Sequence, residues 1–356
     1  MEITFNFIPY ILNFKFEAGT SRGVMTQRKI WIIKLVSKSN PNQIGIGEAA
    51  PINGLSIDNI YELEKQLIIW RNDNNLTLTK LEEFLREKLF QNLPSLKFAL
   101  ETALMGLHNN NPYHIFSNKF ILGKHKIKTN GLVWMGKKED MLNQVAEKIT
   151  QGFKCIKIKV GAIDFNHELE VLQHIRNNFT KEEIIIRIDA NGAWDEDEAL
   201  KKLSILEPLN IHSIEQPIKE HQYKSMQKIC KESPIKIALD EELIGIYDEE
   251  EMNFLLEEIK PAYIILKPSL LGGFKSTSQW IRIAESKSIR WWITSALESN
   301  IGLNAICQFT SEYPDIDIAQ GLGTGQLFHN NISSPLTLKK GFIYNDIQQG
   351  WQKIPI

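Results

Sequence analysis

The sequence predicts an α/β protein in which an α+β domain precedes a parallel (β/α) barrel. Two observations carry that reading. From about residue 128 the 356-residue chain takes on a regular rhythm, with eight strand-like stretches separated by seven amphipathic helical ones. Before that point strand-like and helical stretches alternate without a common period.

In the first region "ITFNFIPYILNFKF" (3–16) and "KIWIIKLV" (29–36) read as strands. "IDNIYELEKQLIIWR" (57–71) and "LKFALETALMGLHN" (96–109) read as helices. The polar "HNNNPYHIFSN" (108–118) marks a boundary, and the basic "GKHKIK" (123–128) a solvated connection. The barrel strands are "TNGLVW" (129–134), "CIKIKV" (155–160), "IIIRIDA" (184–190) and "HSIEQP" (212–217). They continue as "IKIALDE" (235–241), "AYIILKP" (262–268), "RWWITSA" (290–296) and "DIDIAQGL" (315–322). Helical stretches such as "KEDMLNQVAEKITQG" and "DEEEMNFLLEEI" lie between them. The span 129–322 is short for such a barrel, and a missing last helix accounts for part of the shortfall, giving a (β/α)7β modified TIM barrel. The tail "SSPLTLKKGFIYNDIQQGWQKIPI" reads as a strand pair that returns to the first domain. The expected organisation is therefore a capping domain over 1–122, a barrel over 123–326 and a C-terminal segment over 327–356 that completes the capping domain.

A net charge of −2 gives no electrostatic case for nucleic acid or an anionic membrane. Cys155, Cys230 and Cys307 are far apart and form no C-x-x-C, which fits a reducing compartment without disulfides. The opening residues alternate like a strand and indicate no signal peptide, and no apolar run reaches membrane-spanning length. These features predict a cytoplasmic protein. None of them specifies an oligomeric state.

The chemistry is concentrated on the barrel strands. In "KCIKIKVG" (154–161) Ile156, Ile158 and Val160 alternate with Lys157 and Lys159, so both lysines point away from the aliphatic set. A solvated strand face is the ordinary explanation of such lysines. The following strands favour another, because each carries a charged residue on the same inward parity near its C-terminal end, where a barrel builds its site. These residues are Asp189 in "RIDANGAW", Glu215 in "SIEQP", Asp240 in "IALDEE" and Lys267 in "IILKPS", and the seventh strand leads to Glu298 in "TSALESN". Lys159, Asp189, Glu215, Asp240 and Lys267 are separated by 30, 26, 25 and 27 residues, about one βα unit each. Three adjacent inward carboxylates repel one another unless a cation lies between them. Their hard oxygens suit Mg²⁺, with Mn²⁺ as a substitute, and no H-E-x-x-H or Cys/His grouping points to zinc. Lys159 and Lys267 flank the expected ion, and desolvation beside other cations lowers a lysine toward a usable base. Proton abstraction next to a carboxylate follows, the ion absorbing the enediolate charge.

In order and motif, "IKIK", "DANGAW", "IEQP", "ALDEE" and "LKPS" resemble the enolase superfamily, muconate-lactonizing subgroup, over nearly the whole chain. A lysine base working with Mg²⁺ is that superfamily's known chemistry. Within it, "GEAAPINGLS" (47–56), "TSALESNIGL" (294–303) and "GLGT" (321–324) are similar to the o-succinylbenzoate synthase family, which dehydrates a cyclohexadiene carboxylate in menaquinone synthesis. The resemblance implies that Lys159 removes the α-proton and then protonates the departing hydroxyl, while Lys267 stabilises the enediolate. Asp189, Glu215 and Asp240 would hold the metal. Lys157, Asn191 and Glu241 take supporting positions, Glu241 having opposite strand parity to Asp240. Gly54, Ser56, Glu298, Ser299 and Gly321 would contact a small-molecule carboxylate substrate.

Dipeptide epimerases and N-acylamino acid racemases of the same superfamily use the same lysines. The epimerases carry an acidic D-x-D at the end of the eighth strand, where this chain has Gln320, Gly321, Leu322 and Gly323. A non-catalytic ligand-binding barrel would show a broken ligand set, and the set is intact. "GLGTGQ" is not G-x-G-x-x-G and reads as a substrate loop rather than a phosphate cradle. The tryptophans at 291–292 read as packing.

Overall fold

The computed structural model describes residues 1–20, 23–87 and 92–356. Three antiparallel strands, β1 (Ile3–Thr20), β2 (Gly23–Ser37) and β3 (Ile44–Ala49), form a sheet in that order. Alternation on β2 sends Trp31, Ile33 and Leu35 against three helices and Ile30 and Ile32 toward the rest of the molecule. The helices are α1 (Ile60–Asn72), α2 (Leu78–Arg86) and α3 (Pro94–His108). Asn59 and Thr77 cap the first two through their side chains, and Pro94 opens the third.

Two of these elements depart from the sequence reading. Residues 44–49 form a strand although Gly45 and Gly47 lower its strand propensity. Both glycines let the sheet meet α3 backbone to backbone. An added Cβ would stand 1.8 Å from Ala103 O at Gly45 and 1.9 Å from Ala99 O at Gly47. The short α2 was also unanticipated, and it is held by burying Leu81 and Phe84.

The strand β4 (Lys126–Lys128) leads into the barrel. There β5 (Gly131–Val133), β6 (Cys155–Lys159), β7 (Ile185–Asp189) and β8 (Ser213–Glu215) alternate with α4 (Lys138–Thr150), α5 (Phe165–Asn178), α6 (Glu196–Leu206) and α7 (Tyr223–Glu232). The series continues through β9 (Ile237–Leu239), α8 (Glu249–Ile259), β10 (Tyr263–Leu266), α9 (Phe274–Ser286), β11 (Arg290–Ile293) and α10 (Asn300–Thr310). Strands β5 to β11 are parallel neighbours in chain order. The eighth expected strand is reduced to two single-residue parallel pairings, Gln320 with Thr129 and Gly321 with Thr294. They close the ring between the first and seventh strands. Asp, Gly and a preceding proline disfavour a longer strand, and the Gln320 side chain occupies ladder positions itself. Its Oε1 accepts from Ile293 N at 2.7 Å and its Nε2 donates to Ile318 O at 2.7 Å.

Strand parity is as read. Ile156, Ile158, Ile186, Ile188, Leu239, Ile264 and Leu266 pack outward against the helices, with Trp291 among them. Ala238, Tyr263, Ile265, Trp292 and Ile318 fill the barrel interior, where the Arg187 guanidinium lies 4.1 Å from the Trp292 ring. The tail does form a strand pair, β12 (Leu336–Lys339) and β13 (Phe342–Asn345), but β13 pairs with β4 rather than with the first sheet. The segments around the pair reach the capping domain. His329 N donates to Asn13 O at 2.9 Å, and Trp351 stacks on Tyr113 at 3.9 Å. Among the described residues, no helix is long and apolar enough to cross a membrane.

Buried carboxyls join the capping domain to the barrel. Glu101 of α3 accepts from Phe274 N at the start of α9, and Glu48 accepts from Ser299 N at 2.8 Å and Gly302 N at 2.9 Å at the start of α10. Burial pushes each up to about 7, the backbone and hydroxyl donors opposing it. Both therefore keep a proton in the folded chain where the unfolded chain has lost it. Their contribution is full below the ordinary glutamate value and is lost as pH rises through about 7. The Glu101→Gln variant is expected to lose less stability than the wild type as pH is raised from about 5 to 7.5, the window in which Glu101 titrates. Urea unfolding midpoints at the two pH values measure this. Equal falls in variant and wild type would show that Glu101 does not titrate there.

Candidate active site

A cavity of about 1440 Å³ lies between the C-terminal mouth of the barrel and the capping domain. Lys157, Lys159, Asn191, Lys267 and Gly321 line it from the barrel, and Arg28, Ile52, Asn53 and Leu55 from above. The lysines reach it because β6 ends with inward side chains at 157 and 159, and because Lys267 directly follows β10 on the parity of Tyr263 and Ile265.

The charged groups are drawn together in pairs. Lys159 Nζ donates to Asp189 Oδ2 and to Asn191 Oδ1, both at 2.6 Å. Lys157 Nζ lies 2.6 Å from Glu215 Oε2 and 2.7 Å from Asp189 Oδ2. Lys267 pairs with Asp240. Asn191 adopts a left-handed backbone, φ 45°, a conformation asparagine tolerates well, and its Nδ2 donates to Glu241 Oε1 at 2.9 Å. All of these side chains are buried or nearly so.

Burial dominates the electrostatics, and the partners decide the sign. Burial lowers the Lys159 ammonium, and Asp189 only partly restores it. At Lys267 burial acts the same way, but Asp240, Glu241 and Glu215 outweigh it and raise the group above its ordinary value. The expectation of lowered values at both lysines therefore holds at Lys159 and not at Lys267. Burial would raise Asp189, yet Lys157 and Lys159 hold its carboxyl well below the usual range. Glu215 goes the other way, pushed well above the usual range by burial and by the Asp189 charge.

Three lysine ammoniums thus reach the carboxylates directly. With those ammoniums drawn in, no three of the described His, Cys, Asp or Glu side chains converge closely on one point. The donor set nevertheless fits a hard divalent ion. Four carboxyls, Asp189, Glu215, Asp240 and Glu241, lie beside three ammoniums, and among the described residues the buried Glu215 Oε1 has no hydrogen-bond partner.

Glu241 requires a correction. Strand parity placed it on the face opposite Asp240, but β9 ends at Leu239 and a single 3-10 turn follows over Glu241–Leu243. The turn brings Glu241 back into the site, onto Asn191, and the residue turned away is Glu242, which accepts from Gln216 Nε2 and His221 N. Glu298 and Ser299, expected at the substrate, face the protein instead. Glu298 accepts from Ser269 Oγ, Ser295 Oγ and Ala296 N, while Ser299 caps α10 and donates to Glu48. Gly54 and Ser56 lie in the loop whose neighbours Asn53 and Leu55 line the cavity, and Ser56 Oγ accepts from Ile52 N. Gly321 lines the cavity itself, and an added Cβ there would meet Thr294 Oγ1 at 1.9 Å. Sequence reasoning missed Arg28, a buried cation on the cavity wall. The available signal was a charged residue on the parity of Ile30 and Ile32.

Residues 140–351 match the family described as Enolase C-terminal domain-like. The o-succinylbenzoate synthase of Desulfotalea psychrophila is 40% identical over 93% of this chain and 96% of that protein. The chain belongs to the o-succinylbenzoate synthase family of the enolase superfamily. The solved structure of MenC from Desulfotalea psychrophila LSv54 agrees, with a TM-score of 0.83 at 37% identity, covering 96% of this chain and 99% of that one. The substrate-liganded L-Ala-D/L-Glu epimerase of Bacillus subtilis has a TM-score of 0.82 at 20% identity, with coverages of 97% and 96%, a likeness of fold alone. As a member of the o-succinylbenzoate synthase family the chain is an enzyme, a lyase.

Proposed function

We propose that this site dehydrates 2-succinyl-6-hydroxy-2,4-cyclohexadiene-1-carboxylate to o-succinylbenzoate, a syn elimination through an enediolate that serves menaquinone biosynthesis. The observation that carries the proposal is the placement of the two lysines. Lys159 ends β6 and Lys267 follows β10, four strands apart in a ring of eight, so they face each other across the mouth. Asp189 and Glu215 end the first two of the three strands between them, and Asp240 directly follows the third.

Lys159 takes the proton from the carbon bearing the carboxylate. The ring C–O bond then breaks, and the same lysine returns the proton to the departing hydroxyl, which leaves as water. Lys267, held as an ammonium by Asp240, stabilises the enediolate from the opposite face. Asn191 and Asp189 aim the Lys159 amine, Lys157 bridges Asp189 and Glu215, and Glu241 orients Asn191. Asp189, Glu215 and Asp240 would hold Mg²⁺, or Mn²⁺ in its place, and the bound ion would act as a Lewis acid toward the substrate carboxylate.

An epimerase reading has the same fold behind it. It is disfavoured by the absence of a carboxylate at Gln320–Gly323, where an acidic pair would hold a substrate ammonium. The Lys267→Arg variant separates the two. Arginine keeps the charge but does not exchange a proton near neutral pH. Dehydratase activity is therefore expected to survive in part, within the roughly hundredfold loss that a small misplacement causes, while any racemisation of N-acylamino acids is lost. Rapid racemisation by the wild type with no turnover of the cyclohexadiene carboxylate would overturn the proposal.

A further inference from the structure

The buried Arg28 has no part in the chemistry just described, yet it lies on the wall of the same cavity. It projects from β2 on the face that carries Ile30 and Ile32 toward the barrel. Its Nη2 donates to Ala50 O, at the root of the capping loop 50–56, and its Nη1 to Ala296 O, in the loop after β11. A planar guanidinium holds two acceptors at a fixed separation, which a lysine cannot do. Burial lowers its guanidinium from the ordinary value, and the Glu298, Glu48 and Asp58 carboxyls offset part of that.

Each loop also has hydrogen bonds of its own. The loop after β11 is braced from within by Glu298, which accepts from Ser295 Oγ and Ala296 N, and its following helix is pinned by Glu48. The capping loop is closed on itself, with Ile52 N donating to Ser56 Oγ and Ser56 N to Ile52 O, both at 2.8 Å. Pro51, Ile52, Asn53 and Leu55 form one cavity wall, and Ser295 and Ala296 belong to the other. The Arg28 side chain bonds to both.

We infer that Arg28 is a positioning residue that sets the separation of these two walls, between which the non-reacting succinyl tail of the substrate is held. The assignment rests on the function proposed above. Loss of the two-pronged contact loosens the walls and weakens the grip on the tail, while the lysines and carboxylates that perform the elimination stay in place.

The test is steady-state kinetics of wild type, Arg28→Lys and Arg28→Met on the cyclohexadiene carboxylate, with calorimetric binding of o-succinylbenzoate alongside. Arg28→Lys retains the charge, which protects folding, but reaches only one carbonyl. It is expected to raise KM, and the dissociation constant of the product, by about tenfold while kcat stays within about twofold. Arg28→Met, where it folds, should raise KM at least as far. A purely structural role would reduce the active fraction, lowering kcat with KM unchanged, and that outcome in Arg28→Lys overturns the inference. An unchanged KM with full kcat does so as well. A wild type that fails to turn over the substrate overturns instead the function on which the assignment stands, a result visible before any variant is compared.

Discussion

Lys159→Ala should lower kcat by about three to four orders of magnitude, the upper part of the range for losing a general acid–base. The variant should remain folded. Lys159 serves twice in the elimination, taking the proton and returning it to the hydroxyl, so a single truncation removes both transfers. No neighbour can replace it. Lys157, two residues back on β6, has its ammonium committed to Asp189 and Glu215 at 2.7 and 2.6 Å. Lys267 stands across the mouth, paired with Asp240, and faces the other side of the substrate. Asn191 makes the same point structurally, because its Oδ1 accepts only 2.6 Å from Lys159 Nζ while its Nδ2 is held by Glu241. That arrangement aims one amine. Circular dichroism checks the fold, and turnover of the cyclohexadiene carboxylate checks the chemistry. A variant within tenfold of wild-type kcat would remove Lys159 from its role.

What the sequence disclosed and what it hid divide along a physical line. Strand alternation is a rigid rule, so Ile156, Ile158, Lys157 and Lys159 could be assigned to faces from their order alone, and Arg187, Asp189 and Ala238 likewise. The rule stops where the strand stops. Asp240 and Glu241 were separated by parity, but β9 ends one residue earlier and the 3-10 turn returns Glu241 to the site. Strand β3 was hidden for the opposite reason. Its glycines look unfavourable locally and become useful only where α3 approaches within backbone distance, a long-range fact. Glu298 and Ser299 show the limit of motif reasoning. Both sit in the expected loop, yet their side chains hold that loop to itself and to Glu48 instead of reaching the cavity. Arg28 and its two carbonyls lie 22 and 268 residues apart in the chain, a separation that no local pattern spans.

Removal of divalent metal should abolish turnover, and Mg²⁺ or Mn²⁺ should restore it. The expectation rests on the carboxyls at the mouth. Four carboxyls, Asp189, Glu215, Asp240 and Glu241, are buried there beside three lysine ammoniums, and burial magnifies the cost of gathering carboxylate charges at one place. Among the described residues Glu215 Oε1 has no hydrogen-bond partner, and the Asp189 charge helps to push Glu215 above the usual range. A hard cation with oxygen preference relieves both features at once. Binding can be read without catalysis, by titrating Mg²⁺ calorimetrically into chelator-treated protein. Asp189→Asn, Glu215→Gln and Asp240→Asn should each take binding below detection at millimolar Mg²⁺. Glu241→Gln disturbs only a neighbour of the ligands and should weaken it by about ten- to a hundredfold, the usual cost of losing an outer-shell partner. The contrast between Asp240 and Glu241 is the sharpest part of the test, because the turn at 241–243 brings both carboxyls to the mouth. If Glu241→Gln eliminated binding and Asp240→Asn spared it, the third ligand would be Glu241. Full activity in rigorously metal-free protein would instead place the whole burden of charge stabilisation on Lys157 and Lys267.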